Sequence, residues 1–350
     1  MIAVLVEGGT TETLLTTPLL RSLRAGAAGV HIVLVCPAGA AELADGLPAV
    51  DEVVPLRALD GELSPAGALT VWRQLRRRRL QAVLLCARSP WASLAAFLAG
   101  VPTRVGASGG VSALLLTDRS QTNSPEMPAA TWLRMVLPLG IATQLHAPVY
   151  EPGPEARENA ARLLYDHARS DGRLRIALAP GSGYAARAST AGGAGAMSRT
   201  WDPQRYALLA NALAQRREAE VILLGTPEEQ PLLDETMLDL GIRVVDFTGE
   251  HDLRLVAAVL AHCDAAIAAD GPLLHLAAAV GTKVVGLFGP SDGRVRGPYG
   301  GDHRVIQALA PAAPDGDGPS DGAPEPVPPG RPFMDQIRVD DVLVAVDGVT

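Results

Sequence analysis

Short, continuously apolar runs alternate with helix-patterned segments along the whole chain, and this alternation leaves few folds open. In the first half the candidate strands are Ile2–Val6, His31–Val35, Glu52–Leu56, Ala82–Cys86, Arg104–Gly106 and Ala113–Leu116. The candidate helices between them are Glu12–Arg24, Ser64–Arg78, Trp91–Ala99 and Ala129–Leu139. Strands apolar on both faces cannot lie against water, so they predict parallel sheets with helices packed on each side. The stretch Val149-Tyr150-Glu151-Pro152-Gly153-Pro154 reads as a connector, and helix Glu155–Ser170 opens a second series. There the strands are Arg175–Ala179, Glu220–Leu224, Val244–Phe247, Ala265–Ala268 and Lys283–Phe288. The helices are Asp202–Gln215, Glu228–Leu240, Asp252–Ala261 and Pro272–Val280.

The pattern predicts two Rossmann-like α/β domains facing a central cleft, over residues 1–150 and 151–309. A Pro/Gly-rich linker follows over 310–332, then a tail helix over 333–350 that crosses back to the first domain. Gly183–Met197, rich in Ala, Gly, Ser and Thr, reads as a flexible insertion. The chain is 48% hydrophobic with a net charge of −8, a balance that argues against nucleic-acid binding through bulk electrostatics. Cys36, Cys86 and Cys263 are widely spaced within apolar stretches, which predicts buried, reduced thiols rather than disulfides or a metal site. No stretch approaches the ~18 apolar residues of a membrane span, and a cytoplasmic enzyme is expected. The basic run Arg76–Arg79, with Arg73 before it, leaves two readings open: a solvated helix face, or peripheral contact with a membrane surface or an anionic substrate.

Four strand ends carry residues suited to chemistry. After Ala265–Ala268 come Asp270, Gly271 and Pro272, with His275 one turn later. Asp270 is placed to cap the helix, Pro272 suits its first turn, and a helix start attracts phosphate. Open α/β sheets bind ligands at this end of their strands. After the first strand, Glu7-Gly8-Gly9-Thr10-Thr11-Glu12 leads into a helix whose Glu12 carboxylate either faces the cleft for chemistry or is simply a first-turn acid that favours the helix dipole, and the loop fits neither the dinucleotide fingerprint nor a P-loop. Pro180-Gly181-Ser182 follows the first strand of the second series, and Arg199 precedes the helix start at Asp202-Pro203, where its guanidinium either reaches phosphate oxygens or is simply a surface charge. Gly225 ends another strand, and Glu229 four residues later either accepts from ribose hydroxyls or is simply a first-turn helix acid.

These pieces occur in the order and spacing of one family. The chain resembles glycosyltransferase family 9, the heptosyltransferases that use ADP-heptose, with a GT-B fold. The resemblance is carried by Glu12 through Pro18 and Leu20, by Pro180-Gly181-Ser182 with Arg199-Thr200-Trp201, by Gly249–Leu253 leading into Asp270 through Ala279, and by Leu287 through Asp292 with Gly297-Pro298-Tyr299-Gly300. It implies that Glu12 is the general base acting on the acceptor hydroxyl. It further implies that Ser182, Arg199, Asp270, Gly271 and His275 hold the donor diphosphate and sugar, and that Gly225 and Glu229 hold the nucleoside. No metal and no cofactor beyond the nucleotide-sugar substrate is implied. The expected partners are that nucleotide sugar and a glycan, lipid-linked or small-molecule acceptor. The expected reaction is inverting transfer of a sugar, a heptose from ADP-heptose. The same scaffold also admits a nucleotide-sugar epimerase or hydrolase, or a binding protein without catalysis.

This chain departs from the family's pattern at three positions. Glutamate replaces aspartate at 12, which moves the carboxylate by about 1.5 Å. Thr11 replaces the usual glycine before it. Pro272 stands where glycine is common, and removes one amide from the ligand's reach.

Overall fold

The computed structural model describes residues 1–87, 89–106, 110–120, 127–144, 146–167, 173–181, 200–250, 252–289, 291–308 and 333–350. Ser182, Arg199, the segment 183–197 and the linker 310–332 lie outside them.

The apolar runs form two six-stranded, wholly parallel sheets. The first contains β1 (Ile2–Val6), β2 (Ile32–Pro37), β3 (Glu52–Leu56), β4 (Ala82–Cys86), β5 (Thr103–Gly106) and β6 (Asp118–Arg119), in the order β3-β2-β1-β4-β5-β6. The second contains β7 (Arg175–Ala179), β8 (Glu220–Gly225), β9 (Val245–Thr248), β10 (Ala265–Ala269), β11 (Lys283–Phe288) and β12 (Arg304–Gln307), in the order β9-β8-β7-β10-β11-β12. Each sheet therefore repeats one topology, in which the chain steps outward from its first strand, then returns beside it and proceeds the other way. The reversal opens a crevice between first and fourth strands, at β1/β4 and at β7/β10, where such sheets bind ligands.

Burial follows from this order. Every residue of β1, β4 and β10 is buried, because each is a central strand covered on both faces. The register sets Val4 between Leu34 and Leu84, and Ile267 between Leu178 and Val285. The helices of the first half are α1 (Thr10–Leu15), α2 (Thr17–Gly26), α3 (Pro65–Arg77), α4 (Pro90–Leu98) and α5 (Pro128–Leu133), with α6 (Pro154–His167) after the connector. Later helices comprise Pro203–Arg217, Gln230–Leu238, Leu253–Leu260, Pro272–Ala279, Gly293–Arg296 and Val339–Asp347. At the connector, the Tyr150 N–H donates to Ala279 O at 2.8 Å and the Glu151 N–H to Gly46 O at 3.0 Å. A Cβ on Gly46 would lie 2.3 Å from the Tyr150 ring, so glycine leaves the room that the buried tyrosine occupies here.

Several expectations are corrected. The single helix over Glu12–Arg24 is two helices. The Thr16 and Thr17 hydroxyls donate back to Thr13 O and Leu14 O, and Pro18 has no N–H to continue the ladder. Ala113–Leu116 is not a strand, since it falls at the end of a 3-10 turn over Gly110–Leu115, and the two polar residues of β6 pair with β5 instead. The helix over Ala129–Leu139 loosens into a 3-10 turn over Arg134–Leu139, which contains Pro138. The tail helix does not cross back to the first domain. Met334, Ile337, Val342, Leu343 and Val346 join the apolar core of the second sheet, and Trp201 Nε1 donates to Ile337 O at 3.1 Å. An apolar stripe docks where matching apolar surface is nearest, and that surface is the helix Pro203–Arg217 with β11 and β12.

Candidate active site

At the first crevice, β1 runs into Glu7-Gly8-Gly9. The Glu7 carboxylate is buried and accepts from the Leu63 N–H at 2.5 Å and the Ser89 N–H at 3.0 Å. Those amides belong to the loops that enter α3 and α4, and the Ser89 hydroxyl donates to Leu63 O at 3.0 Å. Glu7 thus ties three loop ends together around the crevice. Gly8 has φ +124°, a conformation that glycine adopts without strain. A Cβ there would lie 2.8 Å from Cδ of Glu12, so the glutamate lies folded over the loop it follows.

At the second crevice, β10 leads directly into Asp270, which is 1% exposed. The expected cap is corrected. Gly271 occupies the N-cap position of the helix Pro272–Ala279, with Pro272 in its first turn, and no side chain caps that helix. The Asp270 carboxylate is directed instead at Arg296, whose Nε donates to Oδ2 at 2.8 Å. Arg296 ends the one-turn helix Gly293–Arg296. That turn is capped by Asp292 and anchored by the Gly293 N–H donating to Gln307 Oε1 on β12 at 2.8 Å. Residue 293 must be small, because a Cβ would lie 2.4 Å from Val305.

His275 lies one turn into the helix, 2% exposed, and its Nε2 finds no partner among the described residues. Burial drives its pKa from 6.5 down to about 4, against the opposing pull of Asp270, so the imidazole is neutral at pH 7. Burial likewise pushes the Cys36 and Cys263 thiols up to about 12 and Cys86 higher still, so none is a thiolate near neutrality.

The two crevices face each other. Helix α1 packs against the helix Pro272–Ala279, and a cavity of about 390 Å³ opens beside them. It is lined by Glu7, Gly8, Thr11, Glu12 and Cys86 from the first half, and by His275 and Arg296 from the second. A carboxylate on one wall confronts an arginine and a neutral imidazole on the other. Proton abstraction on one side and stabilisation of an anion on the other are what such an arrangement can perform.

The sequence-derived residues are thus distributed as follows. Glu12 and His275 line one cavity, and Asp270 lies behind it, tied to Arg296. Gly225 and Glu229 are not among the lining residues. Glu229 is 2% exposed, and its Oε2 accepts from the Thr226 N–H at 3.1 Å within a capping box. Its carboxylate presses on Gly181 at the end of β7, where a Cβ would lie 1.9 Å from Cδ. Sequence reasoning missed Arg296 and the tying role of Glu7. The one available signal for Arg296 was its place just before Gly297-Pro298-Tyr299-Gly300. Among the described residues no group of three or more His, Cys, Asp or Glu side chains is arranged to hold a metal ion, and no helix is long and apolar enough to cross a membrane.

Comparison with known proteins bears on this geometry. The pattern of glycosyltransferase family 9 (heptosyltransferase) matches residues 68–319. The chain is 24% identical over 308 residues to lipopolysaccharide heptosyltransferase 2 of Salmonella typhimurium, covering 85% of each protein. Its fold resembles that of a glycosyltransferase family 9 protein from Veillonella parvula, with TM-score 0.82, 20% identity and coverage of 99% and 96% of the two chains. It also resembles the ADP-heptose lps heptosyltransferase II of E. coli, with TM-score 0.75, 20% identity and coverage of 99% and 98%.

Proposed function

This chain belongs to glycosyltransferase family 9, and on that premise we propose that it transfers a heptose from ADP-heptose to a hydroxyl of a glycan or lipid-linked acceptor, inverting the anomeric carbon. The observation that carries the proposal is the meeting of the two sheet crevices at one cavity, with Glu12 on one wall and Arg296 and His275 on the other. The names of the relatives support the choice of donor and of a lipopolysaccharide-type acceptor.

In this reading the acceptor oxygen attacks the anomeric carbon from the α1 side. Glu12 takes the hydroxyl proton as the new C–O bond forms, a contribution worth roughly 10²–10⁴-fold. The bond from the anomeric carbon to the diphosphate oxygen breaks on the opposite face, and its electron pair leaves with ADP. Arg296 meets that growing negative charge, and the sequence resemblance adds Arg199 and Ser182 to the diphosphate contacts. Arg296 also holds Asp270 in place beneath the sugar. His275, kept neutral by burial, offers a hydrogen bond without adding a charge. Gly225, at the end of β8, and Glu229, in the turn that follows it, are assigned to the nucleoside by the sequence resemblance.

The test is a thermal-shift screen of the protein against ADP-, GDP- and UDP-sugars. A ligand at 100 times its dissociation constant adds about 2.7 kcal/mol of stability. Selective stabilisation by ADP-heptose is expected, and a preference for a UDP- or GDP-sugar would overturn the donor assignment.

A further inference from the structure

We infer that the outer face of α3 and α4 docks on an anionic lipid bilayer. From Leu63 to Thr117 the sequence contains no Asp or Glu, in a protein whose net charge is −8. Over the same stretch it carries Arg73, the run Arg76–Arg79, Arg88 and Arg104. The fold gathers part of this charge on one face. Helix α3 buries Ala68, Val71 and Leu75 and exposes Leu69, Arg73, Arg76 and Arg77, a stripe at helical spacing. Helix α4 packs beside α3 and exposes Trp91, Phe97 and Leu98. The 3-10 turn next to α4 adds Leu114, which is 76% exposed.

Five of the eleven exposed large apolar side chains among the described residues belong to this stretch, so the face is an apolar patch rather than scattered exposure. Arginines stand over its aromatic rings, Arg76 at 5.9 Å from the Trp72 centroid and Arg104 at 5.4 Å from that of Phe97. The neighbouring acids do not cancel the charge. Glu52 is engaged by Arg78, and Glu62 lies in the loop before α3, while Arg73, Arg76, Arg77 and Arg79 make no ion pair with described residues. Arginines beside exposed Trp, Phe and Leu match an anionic headgroup layer above acyl chains, with the rings at the interface and the cations on phosphate. The helices begin at the loops held by Glu7, while Arg73, Arg76, Arg77, Phe97 and Leu98 gather toward their C-terminal ends, away from the crevice. The inference depends on neither the donor nor the acceptor proposed above.

The experiment is co-sedimentation of the full chain with vesicles of phosphatidylcholine alone, or with about one third phosphatidylglycerol. Each arginine near such a surface is worth roughly fivefold in partition. The wild type is expected to sediment with the anionic vesicles only, and less as salt rises. The variant Arg73→Gln/Arg76→Gln/Arg77→Gln is expected to lose on the order of 100-fold in partition with an unchanged thermal melt. Leu98→Gln/Leu114→Gln is expected to weaken binding while leaving its salt dependence intact. Equal partition of wild type and the arginine variant, or no binding to anionic vesicles, overturns the inference. So does self-association in solution that is lost in Leu98→Gln/Leu114→Gln, which would assign the face to a second copy of this chain.

Discussion

The pair Asp270–Arg296 offers the sharpest energetic test of the second crevice. Asp270 is 1% exposed, whereas the Arg296 side chain is 29% exposed on the cavity wall. Removing one partner of a fully buried pair costs about 3–5 kcal/mol, because a charge is left desolvated. Water already reaches the arginine side of this pair, so Arg296→Gln is expected to cost less, roughly 2–3 kcal/mol. Asp270→Asn leaves a partly solvated guanidinium and a neutral amide of the same shape, for about 1–2 kcal/mol. The double variant buries no charge at all. Its loss is expected to fall short of the sum of the singles by about 1 kcal/mol or more. Urea unfolding followed by far-UV circular dichroism on all four proteins gives this coupling. Donor kinetics on Arg296→Gln add a second readout, with kcat/KM expected to fall about 10–100-fold if its charge meets the diphosphate. Additivity within about 0.5 kcal/mol would show that the pair is not coupled, and the account of how Arg296 holds Asp270 would fail.

A methyl group at Gly181 would land on the Glu229 carboxyl, so Gly181→Ala is expected to lose roughly 1–3 kcal/mol, measured by urea denaturation. It should also weaken ADP binding measured by calorimetry. His275 has a folded pKa of about 4 against 6.5 when free. The unfolded chain therefore binds the extra proton first. Its neutral state contributes fully to stability above about pH 6.5 and is lost as pH falls toward 4, a change of about 3 kcal/mol. Unfolding free energies across that window should flatten in His275→Asn, and an unchanged slope would contradict the buried, neutral imidazole.

Much of the architecture was legible because central parallel strands must be apolar on both faces, and β1, β4 and β10 announce themselves that way. The edge strands β6 and β12 were silent, since Asp118–Arg119 is polar and Arg304–Gln307 offers only the pair Val305-Ile306, and both are recognisable only by the strand beside them. The break after Leu15 was hidden because it depends on where threonine hydroxyls turn rather than on residue type alone. At the site, Glu12 and Asp270 were visible from their places after strands. The direction of the Asp270 carboxylate was not, because Arg296 comes from 26 positions further along the chain, in a turn after β11 that is anchored to β12. The tail helix was legible as a helix, but its docking surface was not, since an apolar stripe does not name its partner.

The central claim is that the cavity between the two crevices is where glycosyl transfer occurs, with Glu12 removing the acceptor proton. The most direct measurement is single-turnover transfer from ADP-heptose by Glu12→Gln, set beside its donor affinity by calorimetry. The account predicts a rate lower by about 10²–10⁴-fold with donor affinity essentially unchanged. A variant that transfers at the wild-type rate would contradict it.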